Sequence, residues 1–322
     1  MNEKRIWKAL LRLGVAVKAY PHTFKYCSFC DNGLDVVINF DQLPEVSEQA
    51  VVVISFAPSA QEYPASVTTV QLLNLIDAKI LQRGVLSEDG IQFLRRYLPY
   101  CFLTLKAKQE KRAVSIAHFA QSLDGKIATH LGDSKWIGNE ENLIHAHRMR
   151  AMCDAILIGK ETLQADQPRL TVRKVEGEDP RKVVLGSPNA DYGCLTNAGQ
   201  KNQVLLIGQQ SSTINNQVQY CQLAGKNGKI DGLDILSLLY EQNLHSVYIE
   251  GGAKTTSNFL NDQGVDILQL HISPLVFGSG IQGVVLPKIE AVAESIHFQH
   301  FQYQNIGDSI MFVGSLAIKQ SS

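Results

Sequence analysis

Residues 114–173 read VSIAHFAQSLDGKIATHLGDSKWIGNEENLIHAHRMRAMCDAILIGKETLQADQPRLTVR, and this stretch decides the architecture. Two aliphatic runs, Val114–Ala120 and Ala155–Ile158, end in polar turns that carry glycine. Between them lies a well-signed helix. Asn139 is a good N-cap, Glu140 and Glu141 suit the positive end of the helix dipole, and Arg148 and Arg150 occupy the last turn. Leu143, Ala146 and Arg150 fall on one side of it. Turns at the ends of buried strands are where α/β proteins hold ligands, because backbone N–H groups and helix N-termini are exposed there.

Outward from this stretch the alternation continues. Strand-like runs at Lys182–Leu185, Val204–Ile207, Ser246–Ile249 and Ile267–Ile272 alternate with helix-like runs near 140–152, 233–242 and 253–262. This pattern predicts an α/β domain with a mostly parallel central sheet and helices on both faces. Phe298–Asn305 and Ser309–Ile318 flank Gly307-Asp308, which predicts a closing antiparallel hairpin with Gly307 at positive φ. Upstream, the spacing predicts a smaller α/β or α+β domain. It has a helix over 4–13, a strand at Val51–Phe56, and helices near Val70–Leu81 and Glu88–Leu98. Lys106, Lys108, Lys111 and Arg112 cluster in a linker-like stretch, so the boundary is set between domains 1–111 and 112–322.

The chain has 322 residues, 45% of them hydrophobic and 19% charged, enough to bury a sizeable core. Thirty basic residues face 31 acidic ones, with no basic stripe, so nucleic-acid binding lacks its usual driving force. No apolar run approaches the ~20 residues of a membrane span. The N-terminus has Lys4 and Arg5 before an apolar stretch. Lys8, Arg12 and Lys18 interrupt that stretch, and Ile6, Leu10, Leu13 and Val17 share one face, so an amphipathic helix is expected rather than a signal peptide. Six scattered cysteines point to a reducing, cytoplasmic setting.

Several turns carry chemistry. Glu250-Gly251-Gly252 follows the strand Val247-Tyr248-Ile249 and opens a helix, with Thr255 and Thr256 offering hydroxyls in its first turn; this suits a pyrophosphate. Gly159 and Thr162 repeat the arrangement. There is no G-x-G-x-x-G, so the common dinucleotide fold is not implied. Asp166 to Arg173 sets one carboxylate among Arg169 and Arg173, and arginine recognises phosphate in a bidentate manner. Trp136 follows Ser134 and Lys135 in a polar loop.

Five motifs in order resemble the pyrimidine reductases of riboflavin biosynthesis, the C-terminal half of the bifunctional deaminase–reductase. They are Ser122-Leu-Asp-Gly-Lys126-Ile-Ala, Gly132-Asp-Ser-Lys-Trp-Ile137, Asp154-Ala-Ile-Leu-Ile-Gly159, Asp166-Gln-Pro-Arg-Leu-Thr-Val-Arg173 and Glu250-Gly-Gly-Ala. The resemblance implies a dihydrofolate reductase-like fold, a homodimer, and NADPH-dependent reduction of a ribosylamino-pyrimidine 5′-phosphate. It implies substrate roles for Ser134, Arg150, Leu170, Arg173 and Glu250. It implies cofactor roles for Ala120, Trp136, Gly159, Thr162, Asp166, Ser187, Gly251 and Gly252. Asp166, Glu250, Lys126 and bound water stand as candidate proton donors, and no metal is expected. Reduction of a 2,5-diamino pyrimidinone or a pteridine-like compound, or a non-catalytic nucleotide-binding module, are the alternatives.

Three departures from the family pattern matter. Gln167 stands where relatives carry a second Asp, and Ala117-His118-Phe119 replaces a Lys-containing approach, leaving His118 as core residue or pocket wall. The N-terminal segment has neither the His-Ala-Glu nor the Pro-Cys-x-x-Cys of a zinc deaminase. Cys27 and Cys30, with His22 upstream, are taken as structural. His145 and His147, two apart on a helix, do not form a metal pair.

Overall fold

A computed structural model describes residues 3–19, 26–30, 36–39, 50–55, 68–74, 76–82, 84, 86–135, 137–187, 190–196, 204–210, 218–226 and 228–316. The chain divides into two compact units, Met1–Glu110 and Lys111–Ser322.

The first unit runs α1 (Glu3–Ala19), β1 (Tyr26–Cys30), β2 (Val36–Asn39), β3 (Ala50–Ser55), β4 (Thr68–Leu72), β5 (Ala78–Gln82), α2 (Glu88–Tyr97), a 3₁₀ turn and α3 (Leu103–Glu110). Its five strands form one mixed sheet ordered β2-β1-β3-β4-β5. The amphipathic face expected for α1 is buried through Ile6, Leu10, Leu13 and Val17, and Trp7 meets Tyr97 edge-on with ring centres 5.8 Å apart. Two expectations fail in this unit. Val70–Leu81 is not a helix but the β4–β5 hairpin. Leu73 and Asn74 N–H groups both donate to the Asp77 carbonyl, and the Asn74 side chain accepts from Ile76 N–H, so local turn chemistry overrides a helix-like apolar spacing. The lysines at 106 and 108 do not form a linker either. They ride on α3, where Lys106 pairs with Glu110 at 3.1 Å, and the break is a single left-handed residue, Lys111, at φ 56°.

The second unit opens with β6 (Val114–Gln121) and β7 (Lys126–Thr129). It continues through α4 (Glu140–Met152), β8 (Ala155–Gly159), α5 (Lys160–Asp166), β9 (Arg181–Leu185), β10 (Val204–Gly208) and β11 (Val218–Gln222). Then follow α6 (Gly232–Glu241), β12 (Ser246–Ile249), α7 (Ala253–Asn261), β13 (Ile267–Ile272), β14 (Gly280–Gln282), β15 (Phe298–Ile306) and β16 (Ser309–Leu316). Nine strands form one sheet ordered β11-β10-β9-β8-β12-β6-β13-β16-β15, parallel from β11 to β13 and antiparallel at the last two pairings. The expected hairpin is β15–β16, with Gly307 at φ 60°. The short β7–β14 sheet and the strand β11 were not legible in the periodicity. β8 and β10 are buried along their whole length, as strands covered on both faces must be. No helix among the described residues is long and apolar enough to cross a membrane.

The amino edge of the sheet is closed by two carboxylates. Asp154 accepts from the N–H groups of His245 and Ser246 ahead of β12. Asp266 accepts from Arg112 at 2.8 and 2.7 Å and from Ser115 N–H at 2.8 Å. The opposite, carboxyl edge has no such closure and carries the motif turns.

Between α4 and the sheet lies a layer of buried histidines. A 3.0 Å hydrogen bond joins His118 Nε2 and Asn142 Oδ1, and the His118 ring stacks on Tyr248; this settles His118 as a packed residue. His145 Nε2 meets Gln269 Oε1 at 3.0 Å, while His147 Nδ1 accepts from Arg173 N–H at 3.1 Å, on a different side of α4. His271 is fully buried, and neither ring nitrogen finds a partner among the described residues. Burial, and then the neighbouring His118, push His271 down to about 4. The folded value lies below the ~6.5 of a free imidazole, so the stability this group contributes is complete above pH ~6.5 and is lost as pH falls toward 4. That loss is on the order of 3 kcal/mol for a group neutral in the fold. Chemical denaturation at pH 7 and pH 4.5 should therefore show a smaller acid loss for His271→Phe than for the unsubstituted chain; an equal loss removes His271 as the cause.

Candidate active site at the carboxyl edge of the sheet

β8 and β12 are neighbours in parallel register, with Ile249 opposite Leu157, and Glu250 N–H extends the ladder to the Leu157 carbonyl at 3.0 Å. Their two crossovers therefore leave the sheet side by side, and Gly159 stands next to Gly251. Thr162 on α5 reaches across, its hydroxyl accepting from Gly252 N–H at 3.1 Å. Thr255 packs against both turns. A Cβ on Gly251 would sit 2.5 Å from Thr255 Cβ, and one on Gly159 would run into Thr255 Oγ1. The glycines are thus required by a close approach of α7 to β8.

The expectation that Thr255 and Thr256 offer hydroxyls outward is corrected here. Both are buried, and Thr256 Oγ1 donates to the Gly251 carbonyl. What faces outward is the start of α7. Gly252 is its N-cap and supplies no side-chain cap, leaving first-turn N–H groups of a nine-residue helix in need of acceptors. The next crossover along, after β9, adds Gly186 and Ser187. A Cβ built on Gly186 would lie 3.1 Å from Lys160 Cβ, and the half-buried Ser187 offers its carbonyl to Tyr192.

Beside the glycine turns is an ion pair. Arg150 Nε donates to Glu250 Oε1 at 2.7 Å and Nη2 donates to Oε2 at 2.6 Å. Burial, the largest influence, pulls the Arg150 guanidinium down, but the Glu250 charge and hydrogen bonds outweigh it and leave it raised. Arg150 Nη1 donates to the Thr171 carbonyl at 3.1 Å, and His147, one turn earlier on α4, accepts from Arg173 N–H. Helix α4 thereby holds the backbone of the 166–173 loop. That loop turns at Gln167 (φ 40°) and at the buried Leu170 (φ 54°). Arg173 itself is exposed, its guanidinium 3.4 Å from the Thr171 hydroxyl. Asp166, the last residue of α5, is an exposed residue whose carboxyl is nonetheless held above the ordinary range by partial burial.

Of the residues singled out in the sequence, Gly159, Thr162, Gly251 and Gly252 meet in one place. Arg150, Glu250 and the Leu170–Arg173 segment meet beside it, continuous through Glu250-Gly251. Ala120 lies half-buried near the end of β6, the other neighbour of β12. Lys126 is carried on the separate β7–β14 sheet, and Ser134 sits in an exposed loop; among the described residues neither side chain is bonded to this cluster. Trp136 lies outside the described residues, as do His22 and the side chains of Cys27 and Cys30 on β1. No metal-holding group of His, Cys, Asp or Glu occurs among the described residues.

Some residues gained a role only in three dimensions. Asn139, read as a cap, accepts from Asn142 N–H and also donates to the Ile306 carbonyl and to Asp308, tying α4 to the β15–β16 turn. Asp124, part of the first motif, accepts from Phe277 and Gly278 N–H and from the Ser122 hydroxyl, which drives its carboxyl down to about 2. The cap was visible in sequence; these distant partners left no local signal.

The Gly159–Thr255 contact makes a test. Gly159→Ala should destabilise by about 1–3 kcal/mol through overpacking. Adding Thr255→Ala should recover most of the loss, since the remaining Thr255 Cβ lies at an ordinary 3.8 Å. Thermal unfolding of both variants reads this, and the absence of recovery would separate the two crossovers.

Comparison with known proteins gives a consistent picture. The riboflavin biosynthesis protein RibD of Aquifex aeolicus is 29% identical over 234 residues, covering 70% of this chain and 60% of that protein. The chain therefore spans well under two thirds of that relative's length. The 2,5-diamino-6-ribosylamino-4(3H)-pyrimidinone 5′-phosphate reductase of Methanothermobacter thermautotrophicus is 28% identical over 214 residues, 62% of this chain and 96% of that protein. Among solved structures, Acinetobacter baumannii RibD superposes with a TM-score of 0.62 at 17% identity, over 98% of this chain and 99% of that one, a likeness of fold that extends over both units. The profile described as the RibD C-terminal domain matches residues 114–312, well over half of the chain. The strand order, the paired glycine crossovers and this match agree: the chain belongs to the RibD C-terminal domain family.

Proposed function

We propose that the chain is an NADPH-dependent reductase that converts a ribosylamino-pyrimidine 5′-phosphate to its ribitylamino product. The observation that carries this reading is the meeting of the β8 and β12 crossovers beside the Arg150–Glu250 pair and the exposed Arg173. The uncapped start of α7 fits a pyrophosphate, with Gly251 and Gly252 admitting it and Thr162 fixing the turn. Ala120, Trp136, Gly159, Asp166 and Ser187 complete the cofactor side. Ser134, the Leu170 turn, Arg173 and Glu250 with Arg150 form the sugar-phosphate side.

A bound reduced nicotinamide would supply the hydride. The protein's own part is to orient the sugar and exclude water, which contributes about 7–11 kcal/mol in favourable cases. Both Glu250 oxygens accept from Arg150, so Glu250 acts as an acceptor and a fixed negative charge rather than as a proton donor. Asp166, with its raised carboxyl, and Lys126 remain as donors, as does water. The N-terminal unit lacks the deaminase motifs, so no deamination is assigned to it. A homodimer and a cytoplasmic location belong to the same reading.

A second substrate reading rests on a specific observation. The chain spans nearly all of an archaeal reductase whose name specifies the 2,5-diamino pyrimidinone. Turnover assays on the deaminated and the 2,5-diamino substrates decide between them. NADPH titration by fluorescence should show binding at micromolar levels; none would favour a non-catalytic module. Arg173→Ala should raise the substrate KM about 10- to 100-fold, since a charge-assisted hydrogen bond contributes about 1.5–3 kcal/mol. An unchanged KM would remove Arg173 from the site.

A further inference from the structure

Two arginines approach the 166–173 loop in opposite states. Arg173 is exposed and its guanidinium is nearly uncommitted, with only a long 3.4 Å contact to the Thr171 hydroxyl. Arg150 is 8% exposed, and each of its three nitrogens already donates: Nε and Nη2 to the two oxygens of Glu250, and Nη1 to the Thr171 carbonyl. A guanidinium spent in this way has no free bidentate face to present to a phosphate.

We infer that Arg150 is a positioning residue. It locks the Glu250 carboxylate and the 171–173 backbone to each other and leaves the substrate phosphate to Arg173. The inference rests on the reductase reading of this site and divides the labour between its two arginines. Glu250 begins the crossover to α7, and Thr171 stands two residues before Arg173. One buried side chain from α4 therefore sets the distance between the glycine turns and the phosphate grip. His147, one helical turn away, holds the same loop at Arg173 N–H, so α4 grips it at two successive backbone positions. Lysine cannot replace this function, because one ammonium cannot span two carboxylate oxygens and a carbonyl in a plane.

Two measurements test the inference. The first needs no ligand. Thermal unfolding is compared for Arg150→Met, Glu250→Gln and the double variant. Arg150→Met strands a nearly buried carboxylate and should lower Tm by about 5 °C or more, and adding Glu250→Gln should restore at least half of that shift. Additive losses would overturn the pairing. The second measures the dissociation constant of ribose 5-phosphate, using the double variant because it keeps a neutral pair and a folded chain. Arg173→Ala should weaken binding about tenfold or more, whereas Arg150→Met/Glu250→Gln should stay within about threefold of Glu250→Gln alone. Arg150→Lys should lose turnover about tenfold with little change in ribose 5-phosphate affinity. A loss of ribose 5-phosphate affinity on replacing Arg150 as large as that for Arg173→Ala makes Arg150 a phosphate ligand and overturns the proposal. If the unsubstituted chain does not bind ribose 5-phosphate, the reductase reading fails, and the unfolding comparison still decides the pairing.

Discussion

The parallel pairing of β8 with β12 is the constraint on which the site depends. These strands are far apart in the chain, yet the Ile249–Leu157 register and the Glu250-to-Leu157 hydrogen bond bring their crossovers into contact. Parallel strands place their carboxyl ends on one edge of the sheet, so each turn that follows contributes to a single crevice. Thr255 and Thr162 then clasp the two turns together, and the glycines at 159, 251 and 252 are what permits that closeness. A residue with a side chain at Gly159 or Gly251 would push α7 away from β8.

Charge is distributed unequally between the two edges of this sheet. At the amino edge, Asp154 and Asp266 are satisfied by backbone N–H groups and, for Asp266, by Arg112. Buried carboxylates held in this way stabilise the starts of β6 and β12 and have no spare capacity for a ligand. At the carboxyl edge the one tightly paired carboxylate is Glu250, and its partner Arg150 also holds the neighbouring loop. Arg173, Asp166 and the first turn of α7 remain open around it. Binding groups lie on turns while a helix and two strands hold them rigid, which suits chemistry that depends on alignment.

Most elements of the second unit were legible because each is long, strongly periodic and bounded by clear stop signals. β12, β13 and α4 lie where the apolar runs and caps place them. The β4–β5 hairpin was misread because a short apolar run has no period long enough to separate helix from strand, and the Asn74–Asp77 turn that decides it is a hydrogen-bond pattern. β7 and β14 were missed because each is stabilised by the other across a long sequence separation. The histidine layer under α4 was invisible as a unit, since its members come from β6, α4 and β13 and meet only after the sheet is assembled.

By itself, the sequence determined the alternation of strands and helices, the capped start of α4, the closing hairpin, and the identity of the glycine and charged turns. These are local properties: period, cap and turn chemistry reside within a few residues. The tertiary structure alone decided that Gly159 and Gly251 touch a common threonine, that Thr255 and Thr256 face inward, and that Arg150 is committed to Glu250. Those outcomes depend on strand order and register, which long-range backbone pairing sets and no short stretch of chain encodes.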